Sequence, residues 1–122
     1  MAVDLTQFEK EQYCYLTTRG RKTGDPHEIE IWFCVHEGAL YLLSGNMDRS
    51  DWVRNLLKGP NVTVRIAGQT FPAVAKLLDL KDGQTETLVR MKMAIKYNEW
   101  EDRSPSEWAK SALVVRVDVG VS

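Results

Sequence analysis

The sequence predicts a mainly β fold, a small antiparallel barrel of six strands with helical additions. Short stretches rich in β-branched and aromatic residues recur through the first two thirds of the chain, which is typical of strands. Helical patterns come late and do not alternate with the strands, so the βαβ rhythm of a parallel sheet is missing. With 122 residues, we expect a single domain spanning residues 1–122, long enough to bury one core.

Three strands are predicted before the first helix. Residues 13–18 are rich in aromatic and β-branched side chains, and residues 28–36 alternate between two faces over their whole length, so each is predicted to be one strand. A Glu-Gly turn leads from the second strand into residues 39–44, which predicts a hairpin. Between the first two strands, residues 19–26 contain two glycines, an aspartate and a proline, residues that favour turns.

Two helices are expected after these strands. The first is predicted to begin near residue 50 and to end at Gly59-Pro60, with Asn55 on its solvent side. The second covers residues 82–97, and its late basic side chains suit the negative end of a helix. The methionines of the second helix are expected to fill gaps in the core. Its predicted apolar face consists of Leu88, Met91, Ala94 and Ile95.

Three further strands complete the predicted barrel. Alternating valines predict strands at residues 62–66 and 113–119, and a third strand is expected at residues 70–78. Pro72 cannot donate a hydrogen bond to a strand ladder, so its strand is expected at an edge or with a bulge. Residues 104–107 match a capping box with proline at the first helical position, which predicts one more helical turn.

The composition excludes several classes of protein. The chain carries 16 basic and 17 acidic residues, and this balance gives no attraction to nucleic acid or to an acidic membrane. No stretch has the length of a membrane span, and the first residues resemble no secretion signal, so a cytoplasmic protein is expected. Cys14 and Cys34 lack a CxxC spacing and are predicted to be reduced. His27 and His36 have no third ligand pattern beside them, so no metal site is predicted.

The stretch LTTRGRKTG, residues 16–24, is the candidate binding site. It lacks the upstream glycine and the following helix of a nucleotide-binding P-loop, so a nucleoside triphosphatase is not expected. Two interpretations remain open, a solvated hairpin tip and a cradle for a phosphate. The cradle is favoured by the adjacent cations Arg21 and Lys22 and by glycines that allow close backbone approach. The hydroxyls that could add hydrogen bonds belong to Thr17, Thr18 and Thr23.

This stretch resembles the L-T-T-x-G-R-K-[ST]-G motif of the deazaflavin-dependent nitroreductase and quinone reductase family. Similar segments follow in the same order and spacing, at residues 30–33, 40–44, 51–57 and 60–64. Together the similar segments cover roughly residues 13–78. The resemblance implies a six-stranded antiparallel split β-barrel, related to the pyridoxamine-phosphate-oxidase-like barrels that bind flavins, and usually a dimer.

The resemblance also implies a cofactor and the residues that bind it. Family members bind reduced coenzyme F420, some relatives use FMN, and the phosphate-bearing tail would lie on the Arg-Lys-Thr run of the motif. Relatives often have a lysine and a glycine pair after the third strand, where this chain has Gly45, Asn46 and Met47, with Arg49 as the replacement cation. The predicted cofactor contacts are Thr18, Arg21, Lys22, Thr23, Ser44, Gly45, Asn46, Arg49 and Trp52.

The function implied by the resemblance is a reductase that transfers hydride from reduced F420, or from FMN, to a small electrophile such as a quinone or nitro compound. The cofactor carries that chemistry, so no catalytic side chain is predicted. The alternative is a non-catalytic binder or carrier of a flavin-like molecule. Tyr97 and Trp100 are predicted either to pack or to line the substrate pocket. Trp32 and Cys34 lie on a strand face that a lone barrel would expose, which predicts a homodimer.

Overall fold

The structure is a computed structural model that describes residues 4–44, 51–78, 83–97 and 113–120. It confirms the mainly β fold, an antiparallel half-barrel sheet with two helices in the described ranges, preceded by a 3-10 helix at Leu5–Phe8. The strands are β1 (Cys14–Arg19), β2 (Pro26–Ile31), β3 (Phe33–His36), β4 (Ala39–Ser44), β5 (Asn61–Ile66), β6 (Gln69–Leu77) and β7 (Leu113–Val119). The helices are α1 (Asp51–Lys58) and α2 (Gly83–Tyr97). The predicted helical turn at residues 104–107 lies outside the described residues.

The sheet has seven strands rather than six because the predicted second strand is broken at Trp32. Its first half, β2, pairs with β1, and its second half, β3, pairs with β4. The strand order is β2-β1-β5-β6-β7-β4-β3, so the two edge strands are consecutive in the chain. One extended segment therefore belongs to both ends of the sheet. The break between its two halves is what lets the sheet curl into a half-barrel.

The main core lies on one face of the curled sheet. It is built from alternate positions of the strands, as the period-two patterns predict. Helix α1 closes one side of this core with the fully buried Leu56 and the partly buried Trp52. The fully buried strand residues include Leu16, Phe33, Leu40, Leu42, Val64, Val115 and Val117.

Pro72 lies in an interior strand, so the expectation of an edge strand is wrong. Strand β6 has β5 on one side and β7 on the other. The Pro72 carbonyl accepts a hydrogen bond from the Gly120 N–H at 2.7 Å, so its missing N–H also falls on the β7 side. The ladder between β6 and β7 reaches only the pair Ala73 and Val119. The proline is tolerated because the neighbouring strand ends beside it.

Helix α2 covers the opposite face of the sheet at β3 and β4. Val89 and Met93 are fully buried there, in a second cluster that includes Cys34 and Tyr41. Trp32 is partly buried and packs against the same cluster. The expected exposure of the face that carries Trp32 and Cys34 is therefore wrong, because the protein's own helix covers it. The expectation that the methionines fill the core is confirmed for Met93.

The outer side of α2 carries three of the four residues that were predicted to face the core. Leu88, Met91 and Ile95 are 40%, 55% and 73% exposed, so the predicted apolar face is wrong for these three, whereas Ala94 packs against the second cluster. The helix has apolar residues on two sides, and the periodicity alone does not choose between them. No helix in the described part of the chain is both long and apolar enough to span a membrane.

Lysines of α2 close the free edge of β3. Lys92 Nζ donates to the Val35 carbonyl at 3.1 Å, and Lys96 Nζ donates to the Phe33 carbonyl at 3.0 Å. Four residues of helix rise about 6 Å and two residues of strand about 6.6 Å, so the two spacings match. Lys96 Nζ also lies 3.6 Å from the centre of the Phe33 ring, a cation–π contact. These bonds occupy edge carbonyls that could otherwise pair with another strand.

Candidate functional site

An open cavity of about 750 Å³ lies between the β1–β2 loop and helix α1. Its described walls come from the end of β1, the loop, the start of β2 and the part of α1 from Asp51 to Asn55. Trp52 packs against the main core from a partly buried position, so it gives the cavity a fixed aromatic wall. The predicted site residues that the structure brings together here are Thr18, Arg21, Lys22, Thr23 and Trp52.

Backbone hydrogen bonds fold the β1–β2 loop into a tight turn. The Gly20 N–H donates to the Asp25 carbonyl at 2.8 Å, and the Gly24 N–H donates to the Gly20 carbonyl at 2.7 Å. Gly24 has a φ of +77°, a conformation that costs a residue with a side chain about 1–2 kcal/mol. At Gly20, an added Cβ would lie 3.0 Å from both His27 Nε2 and Thr23 Oγ1. Gly24 is therefore required by the backbone of the loop, whereas Gly20 leaves room for the side chains of His27 and Thr23.

Two side chains of α1 hold the loop through the backbone of Arg21. Asn55 Oδ1 accepts hydrogen bonds from the Arg21 N–H at 3.2 Å and from Arg21 Nη1 at 3.0 Å. Lys58 Nζ donates to the Arg21 carbonyl at 3.0 Å. Asn55 Nδ2 donates to the Thr18 hydroxyl at 3.2 Å. One buried amide thus connects helix α1 to both the loop and β1.

Asn55 is only 4% exposed, so the expectation of a surface amide is wrong. A buried amide is stable only when its polar atoms are paired, and the three bonds to Arg21 and Thr18 meet that requirement. These partners lie 34 and 37 residues away in sequence. No local pattern in the helix could reveal them, which is why the sequence did not single out Asn55.

Arg21 and Lys22 differ in how far their charges are already engaged. Arg21 Nη2 lies 3.4 Å from a carboxylate oxygen of Asp51, whose side chain is 85% exposed, so this ion pair is weak. Lys22 is exposed, and no hydrogen bond or ion pair links it to any residue that the structure describes. Glu28, which also lines the cavity, is paired with Arg65 at 3.1 Å. Both cations are therefore available to an anionic ligand.

His27 is a cavity residue to which the sequence gave no role. It pairs with Thr18 across the β1–β2 ladder, and its ring lies beside Gly20. The register of the predicted hairpin is the signal that could have placed it here, because Thr18 belongs to the motif. Within the described ranges, no three His, Cys, Asp or Glu side chains are grouped so that they could hold a metal ion.

The remaining predicted residues are not placed in this cavity by the described structure. Ser44 ends β4, which pairs with β3 and β7. Tyr97 ends α2, whose last turn is bonded to β3 through Lys96. Their roles stay predictions. The predicted residues that lie outside the described ranges are Gly45, Asn46, Arg49 and Trp100.

Neither cysteine offers a reactive thiol. Both are free, as predicted, and both are buried. Burial raises the pKa of the Cys14 and Cys34 thiols to about 12. Thiols with so high a pKa stay protonated at neutral pH and are poor nucleophiles. The cavity therefore points to ligand binding by cations rather than to thiol chemistry.

Several solved structures share this fold at low sequence identity. The haem storage protein HutZ from Vibrio cholerae aligns with a TM-score of 0.74 and 19% identity, covering 97% of this chain and 89% of that chain. An F420-H2 dependent reductase, FDR-A, aligns with a TM-score of 0.64 and 18% identity, covering 88% and 94%. An F420 reductase aligns with a TM-score of 0.65 and 16% identity, covering 96% and 93%. At these identities the likeness establishes the fold alone.

Sequence comparison identifies the family. No curated protein matches the chain in sequence. A sequence profile of a single family matches residues 3–119, a range that includes the whole described sheet and the cavity. The loop that forms the cavity is also the stretch that carries the family motif. The chain belongs to the F420H(2)-dependent quinone reductase family.

Proposed function

We propose that the protein is an F420H2-dependent reductase that reduces a small electrophile, such as a quinone or a nitro compound. Membership of the family supports the dependence on F420. The observation that carries the proposal is the cavity in which Arg21 and Lys22 lie together with Trp52. A cofactor with an anionic tail and a flat ring system needs both cations and an aromatic or apolar wall.

The loop fits a phosphate-bearing tail. Lys22 is exposed, and Arg21 is held in place by Asn55 while keeping its charge. The Thr23 hydroxyl accepts a hydrogen bond from the Asp25 N–H at 3.3 Å and keeps its own proton to donate. Charge-assisted hydrogen bonds to a phosphate contribute roughly 1.5–3 kcal/mol each. Because FMN also carries a phosphate, the preference for F420 rests on the family and not on this loop.

The reduced deazaflavin, when bound, supplies the hydride. The chain's own residues bind and orient it: the cations take the tail, and the wall that contains Trp52 is fixed by the packing of α1 against the core. Among the residues outside this cavity, Tyr97 and Trp100 stay candidates for the side on which the acceptor binds. Ser44, Gly45, Asn46 and Arg49 stay candidates for further cofactor contacts.

The test begins with parallel titrations of the purified protein with coenzyme F420 and FMN, followed by absorbance. Oxidation of reduced F420 is then measured with a quinone and with a nitro compound as acceptors. The double variant Arg21→Ala/Lys22→Ala should bind F420 about a hundredfold more weakly. A matched control, Lys10→Ala/Lys76→Ala, removes two exposed charges outside the cavity and should bind like the wild type.

Three results would contradict parts of the proposal. Unchanged affinity in a folded Arg21→Ala/Lys22→Ala variant would show that the loop is a solvated hairpin tip. Tighter binding of FMN than of F420 would mean that FMN is the cofactor. Binding of F420 without turnover of any acceptor would favour the non-catalytic carrier.

We also propose that the protein is a cytoplasmic homodimer. Trp32 and Cys34 do not support a dimer contact, because α2 covers them. Support now comes from the exposed apolar stripe of Leu88, Met91 and Ile95 on α2, a kind of surface that marks contact sites. Two buried free thiols suit a reducing compartment. Light scattering that gives a stable monomer mass at micromolar concentration would contradict the dimer.

A further inference from the structure

We propose that Asn55 is a positioning residue that fixes Arg21 for an anionic ligand and, because it is neutral, leaves the guanidinium charge free to act on that ligand. The proposal deepens the proposed function, on which it rests for the identity of the ligand. It concerns a buried residue in the cavity wall that belongs to none of the predicted contacts.

Asn55 holds Arg21 through two hydrogen bonds. One oxygen, Asn55 Oδ1, accepts hydrogen bonds from the main-chain N–H of Arg21 at 3.2 Å and from its side-chain Nη1 at 3.0 Å. A pair of bonds to both ends of one residue fixes its backbone and its rotamer together. Arg21 offers only donors at these positions, so the oxygen of the amide must face it and the nitrogen must face Thr18. The orientation of Asn55 is therefore set by its partners.

Asn55 and its partner Thr18 are buried. Asn55 and Thr18 are 4% and 1% exposed, and Asn55 Nδ2 donates to the Thr18 hydroxyl at 3.2 Å. Hydrogen bonds between groups shielded from water hold their geometry better than exposed ones. Arg21 is thus anchored from the protein side, while its own side chain remains 28% exposed at the cavity.

The buried acceptor beside the Arg21 guanidinium is a neutral amide. A carboxylate at position 55 could accept the same two bonds from Arg21, but it would place a negative charge 3.0 Å from the guanidinium in a poorly solvated setting. An anionic ligand would then meet a neutralised pair. The carboxylate of Asp51 approaches Arg21 only to 3.4 Å and is 85% exposed, where water screens it. The buried acceptor is neutral and the charged one is solvated, which keeps Arg21 effectively cationic.

The test separates position from charge with two substitutions. Asn55→Ala removes the acceptor. Asn55→Asp keeps an acceptor for Arg21, adds a charge, and lets the Thr18 hydroxyl turn and donate to the carboxylate. The matched control is Asn61→Asp, which adds the same charge at an exposed position that does not line the cavity. Inorganic pyrophosphate and coenzyme F420 are the two probes, and the full chain is used throughout.

For each variant we would measure the urea midpoint, the affinity for both probes, and the chemical shift of the Arg21 backbone amide proton. Asn55→Asp should keep the urea midpoint and the hydrogen-bonded shift of the Arg21 amide, but should bind both probes about tenfold more weakly. Asn55→Ala should lose the hydrogen-bonded shift and the affinity together. Asn61→Asp should match the wild type in all three measurements.

Wild-type affinity in Asn55→Asp would overturn the role of neutrality. Wild-type affinity in a folded Asn55→Ala would overturn positioning, and so would failure of Asn55→Asp to fold, because a carboxylate should satisfy the same donors. A wild-type protein that binds neither probe would overturn the proposal as well. If pyrophosphate follows the expected pattern but F420 does not bind, the role of Asn55 stands and the proposed cofactor fails.

Discussion

Both helices are attached through polar side chains to backbone groups, yet the openings beside the two attachments differ in size, about 750 Å³ at α1 and about 220 Å³ at α2. Helix α1 holds the Arg21 backbone with Asn55 and Lys58, which are three residues apart. Helix α2 holds the β3 edge with Lys92 and Lys96, which are four residues apart. In both cases polar side chains from successive helical turns satisfy backbone groups that have no strand partner. The difference lies in what surrounds the attachment.

At α2 the attachment borders a small pocket of about 220 Å³, which Lys92, Ile95 and Lys96 help to line. Lys96 lies against the Phe33 ring, and its removal from water lowers the pKa of its ammonium from the ordinary 10.5 to about 8. At α1 the helix bonds to a loop rather than to a strand, and the large open cavity remains beside it. Lys96 therefore loses part of its tendency to be charged, whereas Arg21 and Lys22 line the larger cavity. The α1 side, with its larger cavity, is therefore the candidate site.

The largest expected effect tests whether α2 is a packing element. Met93 is fully buried against the sheet, while Met91, two residues earlier, is 55% exposed. Met93→Ala should lower the free energy of unfolding by about 2–5 kcal/mol through lost burial and a residual cavity. Met91→Ala should change it by less than about 0.5 kcal/mol. Urea unfolding of both variants would measure this, and equal losses would mean that the outer side of α2 is also packed in solution.

The same helix shows what the sequence could and could not predict. Its existence and its bounds were predicted well, because the helical period and the basic last turn are local features. Its inward face was predicted wrongly, because apolar residues occur on two sides and only contact with Cys34 and Tyr41 selects Val89 and Met93. The break at Trp32 was missed for a related reason. Apolar and polar residues keep alternating through the break, and a barrel closure changes strand partners without changing the period.

The candidate site also contains residues that the sequence predicts and residues that it does not. The loop was predicted because glycines, cations and threonines in one short run carry its chemistry, and the structure places five of those residues in the cavity. Asn55 and His27 were missed because their partners are distant or across the hairpin. The sequence therefore predicts the residues that stand together in one short run. The fold is needed to find residues whose partners are distant in sequence.

The two glycines of the loop offer a matched pair for the α1 side. Gly24 has a φ of +77° and nothing within 4 Å of an added Cβ, so Gly24→Ala should cost about 1–2 kcal/mol of stability through backbone strain alone. Gly20→Ala would instead press against His27 and Thr23, two exposed side chains that can move. It should change stability by less than about 0.5 kcal/mol but weaken F420 binding, because both displaced residues line the cavity.

Urea unfolding and F420 titration of both glycine variants would check this pair. The reverse result, in which Gly20→Ala unfolds the protein and leaves binding intact, would mean that His27 and Thr23 act in packing and not in the site. The comparison between the two helices would then lose its functional side.

The smallest expected effect concerns the partly buried ammonium group of Lys96 on α2. The pKa of Lys96 is about 8 in the folded protein, against 10.5 for an ordinary lysine, mainly because burial disfavours the ammonium. Between these pH values the unfolded chain holds a proton that the folded chain has released, so stability must rise with pH across this window. Lys96 is only half-buried, and solvent screening reduces the gain to about 1 kcal/mol.

Lys96→Met should remove the rise of stability with pH, because the methionine side chain has no proton to release. Urea unfolding at pH 7.5 and pH 9.5 would show the wild type gaining stability relative to Lys96→Met, while ionisations common to both proteins cancel in the difference. Lys92→Met is the matched control, since Lys92 bonds to the same strand from an exposed position one turn earlier. Parallel profiles for wild type and Lys96→Met would mean that water reaches Lys96. Burial could then not be what distinguishes Lys96 from the cations of the cavity beside α1.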